Sequence, residues 1–157
     1  MITDVHIQLA NFSDVTEIAE MSKTEIEYGL PWGWTPSRVS KAIIDPATNV
    51  AVAREQGVLV AFGIMKYQDE VAHLLLLAVR SSRRRAGLGS ALLIWLEKVA
   101  LIAGIGAIRL QARSDNAAAR VFYRTHGYRE TASVRGMYQG IVDGIRLEKK
   151  LNHLRPK

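Results

Sequence analysis

The residues of this chain that are best suited to bind an anion form one short run, Arg84-Arg85-Ala86-Gly87-Leu88-Gly89, called the glycine loop below. It lies between an apolar run at 74–79 and an amphipathic segment that starts at Gly87, which predicts a strand, a loop and a helix. Glycine lets the backbone approach a ligand closely, and a helix N-terminus presents unpaired N–H groups. The run therefore predicts a phosphate site, and we interpret it as a site for a pyrophosphate.

The usual nucleotide-binding patterns do not fit the glycine loop. A dinucleotide fingerprint requires a third glycine where this chain has Leu92, and no two glycines form a P-loop followed by Lys and Ser or Thr. Tight packing of a strand against a helix is the alternative explanation for the glycines. The arginines of this turn, which could also be a solvated surface, are Arg80, Arg83, Arg84 and Arg85.

Composition excludes several classes of function. The 157 residues include no cysteine, so disulfides, a thiolate nucleophile and a zinc–thiolate site are excluded. The N-terminus does not resemble a signal peptide, and no apolar run approaches the ~18 residues of a membrane span. We expect one domain over residues 1–157, a cytoplasmic location, no metal and no membrane partner. The net charge of +6 permits nucleic-acid binding, but no helix-turn-helix or zinc-finger pattern supports it, so no nucleic-acid partner is expected.

Periodicity and turn residues predict a mixed α/β fold. Its sheet is mostly antiparallel, with about seven strands and about four flanking helices. Strands are predicted at 5–10, 49–54, 58–67, 71–80, 107–112, 129–138 and 144–151. Helices are predicted at 13–28, capped by Ser13-Asp14, at 35–45, from Gly87 to Gly104, and to Arg124 after a cap at Ser114 or Asp115. The third helix is expected to bury Leu88, Leu92, Trp95, Val99 and Ile102, with Glu97 and Lys98 facing away.

Two motifs in this order resemble the GNAT superfamily of acyl-coenzyme A dependent N-acyltransferases. The first motif is a strand that ends in a branched residue and is followed by a basic residue and two glycines. Its members here are Val79, Arg84, Gly87 and Gly89. The second motif comprises Asn116, Ala119, Phe122 and Tyr123, followed by His126-Gly127-Tyr128.

The resemblance implies that the sheet splays open beside the strand that ends at Val79 and that acetyl-coenzyme A is the acyl donor. Backbone groups of Leu77 and Val79 would pair with the pantetheine arm like an added strand, and one amide would polarise the thioester carbonyl. The backbone amides of Arg85, Gly87, Gly89 and Ser90 would face the pyrophosphate. The implied cofactor-binding residues are Leu77, Val79, Arg84, Arg85, Gly87, Leu88, Gly89, Ser90, Asn116 and Tyr123.

The same resemblance implies transfer to an amine by direct attack in a ternary complex, since no cysteine could form an acyl-enzyme. Tyr123 matches the family's tyrosine near the thioester sulfur and is the expected general acid. A buried aromatic with no catalytic role is the alternative for this residue.

His73 is the expected general base. It lies six strand residues, or ~20 Å, before Val79, and it is predicted to share a strand face with Leu77 and Val79. A strand-end histidine with a satisfied hydrogen bond is the alternative. The ribosomal-protein branch has a glutamate base where this chain has Gln111, which cannot accept the proton, so His73 or a water relay is the remaining route.

The acceptor pocket is expected between the first two helices. Acidic and aromatic residues there that could bind a cationic amine are Glu25, Glu27, Tyr28, Trp32 and Trp34. Both tryptophans could instead only pack the loop. The expected acceptor is a small-molecule amine; a protein N-terminus or lysine stays open. A non-catalytic coenzyme A sensor also stays open, as does a homodimer suggested by the resemblance.

Overall fold

The computed structural model describes residues 5–84 and 87–151, and within these ranges it contains one mixed sheet of seven strands with the order β1-β2-β3-β4-β5-β7-β6. The strands are β1 Val5–Leu9, β2 Thr48–Glu55, β3 Val58–Gln68, β4 Val71–Val79, β5 Ala107–Arg113, β6 Arg129–Tyr138 and β7 Val142–Lys150. The α-helices are α1 Val15–Met21, α2 Pro36–Ile44, α3 Leu88–Ile102 and α4 Ala117–Thr125. The predicted fold class is confirmed. Among the described residues, no helix is long and apolar enough to cross a membrane.

Helix α3 makes the one parallel pairing of the sheet possible. β4 and β5 are parallel, and every other neighbouring pair is antiparallel. Parallel neighbours require a crossover connection, which α3 provides after the glycine loop. One buried cluster lies on the side of α3 and α4, and a second lies on the side of α1 and α2. These sides are called the α3 face and the α1 face of the sheet.

A β-bulge in β4 changes the face of the sheet to which the side chains of this strand point. Met65 pairs with Leu74 and the adjacent Ile64 pairs with Leu76, so Leu75 is an extra residue without a partner on β3. Ala72 and Leu74 consequently join the buried cluster of the α3 face, whereas Leu76 and Ala78 join that of the α1 face. The side-chain period of a strand is two, so one inserted residue moves every later side chain to the other face.

The pairing between β4 and β5 stops at the same bulge. These strands pair from Val71↔Ala107 to Leu74↔Leu110 and no further. Beyond this point β5 continues along β7 as far as Arg113↔Gly144, while β4 continues along β3 as far as Ala61↔Val79. A gap therefore opens between the carboxyl ends of β4 and β5, called the β4–β5 gap.

Two helix starts differ from the predicted caps. The first helical segment begins with a capping box of Asn11 and Asp14 instead of a Ser13-Asp14 cap, and after Met21 it continues as a π-helical turn, Ser22–Ile26. Helix α4 is capped by Asn116, whose side chain accepts a hydrogen bond from Ala119 N, and not by Ser114 or Asp115. Asn, Asp and Ser are all favourable caps, so a run of them leaves the choice open.

The buried stripe predicted for α3 is partly wrong. Leu88 and Leu92 are buried as expected, but the stripe continues through Leu93, Leu96 and Ala100, and Ile102 is 87% exposed. Glu97 does not face away: its carboxylate accepts hydrogen bonds from the Tyr128 hydroxyl (2.8 Å) and Lys149 Nζ (3.1 Å). Because α3 is apolar on nearly all sides, its sequence periodicity does not determine which side is buried.

We expect Leu96→Ala to lower the free energy of unfolding by about 2–5 kcal/mol, because it leaves a cavity beneath the sheet. Ile102→Ala on the same helix should change it by less than about 0.5 kcal/mol. Urea unfolding of both variants measures the difference. Equal destabilisation would contradict the placement of α3.

Candidate active site

The first turn of α3, which includes the last residues of the glycine loop, presents free backbone N–H groups. Gly87 is the N-cap residue with φ +79, a conformation that favours glycine, and its carbonyl accepts from Ala91 N at 3.0 Å. The N–H groups of Leu88, Gly89 and Ser90 are in the first turn and have no intrahelical acceptor. Arg85 and Ala86 lie outside the described residues. This helix start can therefore bind an anion through its backbone.

Close packing surrounds this helix start. A Cβ on Gly89 would meet Val79 Cγ2 at 3.4 Å and the Phe122 ring at 3.5 Å. Ser90 Oγ lies 2.8 Å from His126 Nε2, a hydrogen bond that joins the first turn of α3 to the end of α4. The two sequence motifs are thus in contact at one point of the fold.

Three arginines of the turn, Arg80, Arg83 and Arg84, are bound to other protein groups. Arg80 donates to the Leu59 carbonyl (2.9 and 3.1 Å) and forms an ion pair with Glu17, and Arg83 pairs with Glu55. Arg84 Nη2 lies 2.5 Å from Glu25 Oε1. Arg80 and Arg83 therefore hold the turn against β2, β3 and α1. Arg84 is more than half exposed.

The edge of β4 along the β4–β5 gap carries backbone groups that pair with no second strand. Arg80 N donates to Val60 O at 2.8 Å, so residues 60 and 80 form a hydrogen-bonded pair of the β3–β4 ladder. Hydrogen-bonded and non-hydrogen-bonded pairs alternate in an antiparallel ladder. The pairs Ala61↔Val79 and Gly63↔Leu77 are therefore of the second kind. The N–H and C=O groups of Leu77 and Val79 consequently point into the gap, where the Val79 carbonyl accepts a hydrogen bond from Arg84 Nε at 3.4 Å.

Tyr123 lies on α4 at the α3 face, where its ring makes edge contacts with Phe122 (5.1 Å between centroids) and Tyr128 (5.6 Å). Burial, reinforced by the nearby Tyr138, raises the pKa of the Tyr123 phenol far above 10. The phenol therefore stays protonated and can donate a proton or a hydrogen bond. Asn116 caps α4 and so fixes the helix that carries Tyr123.

A cavity of about 810 Å³ lies on the α1 face of the sheet. The connection between the π-helical turn and α2 covers it, and side chains of β4, β5, β6 and β7 line its floor. Tyr138 lines this cavity and also influences Tyr123 electrostatically.

His73 lines this cavity, but it does not share a face with Leu77 and Val79 as predicted. The bulge at Leu75 places His73 on the α1 face and the two later side chains on the α3 face. Partial burial lowers the pKa of His73 below 6.5, and the charges of Arg109 and Lys66 lower it further. His73 is therefore a neutral imidazole near pH 7.

Of the residues predicted to bind the acceptor, the structure places two in the cavity and three outside it. Trp34 and Glu27 line the cavity. Glu25 instead pairs with Arg84, and the ring of Tyr28 lies beneath Arg113, 4.0 Å from its guanidinium carbon. Trp32 donates from Nε1 to the Ala19 carbonyl at 3.2 Å and packs against the buried cluster of the α1 face, which is the packing role left open above.

Glu27 organises the wall of the cavity. Its carboxylate accepts hydrogen bonds from Gly33 N (2.6 Å), Trp34 N (3.2 Å) and Ser22 Oγ (2.7 Å). These bonds close the turn between the π-helical segment and α2. The Glu27 carboxylate is thus occupied by hydrogen bonds that fix the position of Trp34.

Sequence reasoning missed the contributions of β6 and β7 to this site. Arg146 and Glu148 alternate with the buried Ile145 and Leu147, and this period-two pattern is visible in the sequence. Tyr138 has no comparable signal, because its place depends on how β6 curves over β7, where the register shifts between Val134 and Tyr138.

The family model described as the acetyltransferase (GNAT) family matches residues 13–128, which is more than half of the chain. The chain belongs to the GNAT acetyltransferase family. A comparison with curated protein sequences gives no significant match.

Several solved structures share this GNAT fold. Ard1 from Thermoplasma volcanium is 22% identical with a TM-score of 0.85, over 94% of this chain and 98% of that chain. The ribosomal-protein-S18-alanine N-acetyltransferase from Escherichia coli is 23% identical with a TM-score of 0.84, over 96% of both chains. The PaiA N-acetyltransferase from Thermoplasma acidophilum, solved in complex with coenzyme A, is 18% identical with a TM-score of 0.81, over 95% of this chain and 100% of that chain.

We expect His73 to titrate with a pKa below 6.5 in an NMR experiment on the ring protons, because burial and two cations disfavour its charged form. Arg109→Gln should raise this pKa, since it removes a nearby positive charge. Arg135→Gln, on an exposed part of β6, is the matched control and should leave it unchanged. A pKa at or above 6.5 in the unsubstituted protein would contradict the placement of His73.

Proposed function

We propose that this protein is an N-acetyltransferase that moves an acetyl group from acetyl-coenzyme A to a primary amine by direct attack in a ternary complex. The observation that carries the proposal is the β4–β5 gap. Along it, backbone groups of β4 that pair with no second strand lead toward the open N-terminus of α3. A pantetheine arm needs such an edge, and a diphosphate needs such a helix start.

The donor would bind with its diphosphate at the first turn of α3. Backbone N–H groups of Gly87, Leu88, Gly89 and Ser90, together with Arg85, are the proposed donors. Arg84 would join them by leaving Glu25, an exchange that its exposure favours because a partly solvated ion pair contributes little stability. The pantetheine arm would then pair with Leu77 and Val79 beside the Asn116 cap of α4.

The acceptor amine and the proton donor would reach the thioester from opposite faces of the sheet. The amine would approach the thioester from the cavity on the α1 face, and Tyr123 would approach it from the α3 face. A β4 amide at the gap would donate to the carbonyl oxygen as negative charge develops there. The protonated Tyr123 phenol would donate to the departing thiolate, a role that its raised pKa suits.

His73 is the proposed base, acting directly or through water. Its neutral imidazole faces the cavity on the side from which the amine would arrive. An alkylammonium has a pKa of ~10.4 and must lose a proton before it can attack. The cavity volume lies within the ~300–1,000 Å³ of small-molecule sites, which favours a small acceptor over a protein segment.

Gly89→Glu should abolish coenzyme A binding, because its side chain would crowd Val79 and the Phe122 ring at the first turn of α3 and add negative charge beside the proposed diphosphate site. We expect the dissociation constant measured by calorimetry to rise by at least about 100-fold. Ile94→Glu adds the same charge to a partly exposed position of α3 and should change it by less than about threefold. Retained binding in the Gly89 variant would contradict the diphosphate site.

Tyr123→Phe should lower kcat by about 100-fold or more, because the leaving thiolate loses its proton donor. The dissociation constant of coenzyme A should change little. Tyr67→Phe is the control, since it removes a partly buried hydroxyl bonded to Asn49 outside the cavity. Release of free thiol with an amine panel measures turnover. Unchanged turnover in the Tyr123 variant would exclude its role as general acid.

A further inference from the structure

The floor of the acceptor cavity consists of polar side chains in two adjacent rows across the sheet. In the first row His73 pairs in register with Arg109, and Arg109 pairs with Glu148. In the second row, two residues further along β5, Gln111 pairs with Arg146. All five residues line the cavity, and the second row lies just beyond Leu110, where the β4–β5 gap opens.

Both carboxylates of the cavity already have partners. Glu148 lies 2.8 Å from Arg109 Nε, and this hydrogen bond lowers the pKa of the Glu148 carboxyl. Glu27 accepts hydrogen bonds from two backbone N–H groups and a serine hydroxyl. Neither carboxylate is therefore well placed to bind a cationic acceptor.

The cavity also holds arginines that no carboxylate neutralises. Within residues 5–84 and 87–151, Arg146 forms no ion pair, and Arg38 stacks on Trp34 at 3.9 Å without one. The lining has three arginines, Arg38, Arg109 and Arg146, and two glutamates, which leaves a net charge of +1 with His73 neutral. The side chains beside the gap thus provide hydrogen-bond donors and positive charge.

We propose that the acceptor is an amino carboxylate, whose carboxylate is bound by Arg146 and Gln111 while its amine points into the β4–β5 gap. This inference rests on the proposed acetyl transfer and specifies its substrate class. A guanidinium donates to carboxylate oxygens in a fixed planar geometry, and the neighbouring Gln111 amide supplies a further N–H donor. The adjacent positions of the two residues on β5 and β7 suit a group of this size.

The proposal reverses the expectation that acidic residues bind a cationic acceptor. A polyamine would bring positive charge close to Arg146 and Arg109, whereas an amino carboxylate brings its negative group to Arg146. Because Arg146 lies beside the gap, the carboxylate that it binds must be close to the reacting amine. A free amino acid has this short separation, and a long diamine has no carboxylate for Arg146 to bind.

Paired acceptors test this substrate class directly. Each free amino acid is compared with its carboxamide in the thiol-release assay at saturating acetyl-coenzyme A. Because the carboxamide also lowers the pKa of the neighbouring amine, kcat/KM is expressed per unprotonated amine, so that the comparison reports the charge of the carboxyl group. Because a hydrogen bond to a charged group contributes about 1.5–3 kcal/mol, we expect kcat/KM to favour the best free amino acid by about 10- to 150-fold. Arg146→Gln should abolish this preference by raising KM for the amino acid much more than KM for the carboxamide.

Two further variants separate charge recognition from structural damage. Arg146→Glu should reverse the preference, so that the carboxamide becomes the better acceptor. Arg135→Gln removes an exposed arginine of β6 outside this cavity and should keep the original preference. Circular dichroism checks that all three variants are folded.

The outcomes distinguish this inference from the function on which it rests. If the protein does not bind coenzyme A, the proposed acetyl transfer is wrong and the inference falls with it. If coenzyme A binds but no free amino acid is acetylated, or if amino acids and carboxamides react equally, the acceptor class is wrong. An equal loss for both acceptors in Arg146→Gln would also overturn it, since that result indicates a structural role. Preferential acetylation of peptides or polyamines would show that a different acceptor is used.

Discussion

The extra residue in β4 is the constraint on which the rest of the structure depends. Leu75 has no partner on β3, and beyond it β4 and β5 no longer pair. The same residue thus opens the β4–β5 gap and exchanges the faces to which the later side chains of β4 belong. A regular strand would have kept the sheet closed and left no unpaired backbone for a ligand. In the proposed reaction, groups on both faces of the sheet reach one molecule bound in this gap.

Contacts between distant segments stabilise this opening. The hydrogen bond between Ser90 and His126 joins the start of α3 to the end of α4. Arg80 and Arg83 hold the turn after β4 against β2, β3 and α1. Burial keeps Tyr123 protonated on one face and His73 neutral on the other. Each group is therefore in the protonation state that its proposed role requires. On the cavity side, Arg146 forms no ion pair with any described residue, so the acceptor site carries a net positive charge.

Sequence periodicity and two motifs predicted the strands, the mostly antiparallel sheet and the family, because each depends on local spacing. The positions of His73 and α3 were not predictable in the same way. An inserted strand residue leaves the alternation of buried residues in β4 unchanged, so the exchange of faces at Leu75 cannot be seen in the pattern. Helix α3 is apolar on most sides, and only the packed sheet determines that Leu96 is buried and Ile102 exposed. Three arginines of the basic turn, Arg80, Arg83 and Arg84, are bound to carboxylates and a carbonyl that lie far away in the sequence.

The most direct test of the central claim is amide hydrogen exchange at Leu77 and Val79, measured by NMR with and without coenzyme A. If the open edge of β4 binds the pantetheine arm as an added strand, both amides should become strongly protected when coenzyme A is bound, together with those of the first turn of α3. If coenzyme A binds and the exchange rates of Leu77 and Val79 do not change, the β4–β5 gap is not the donor site.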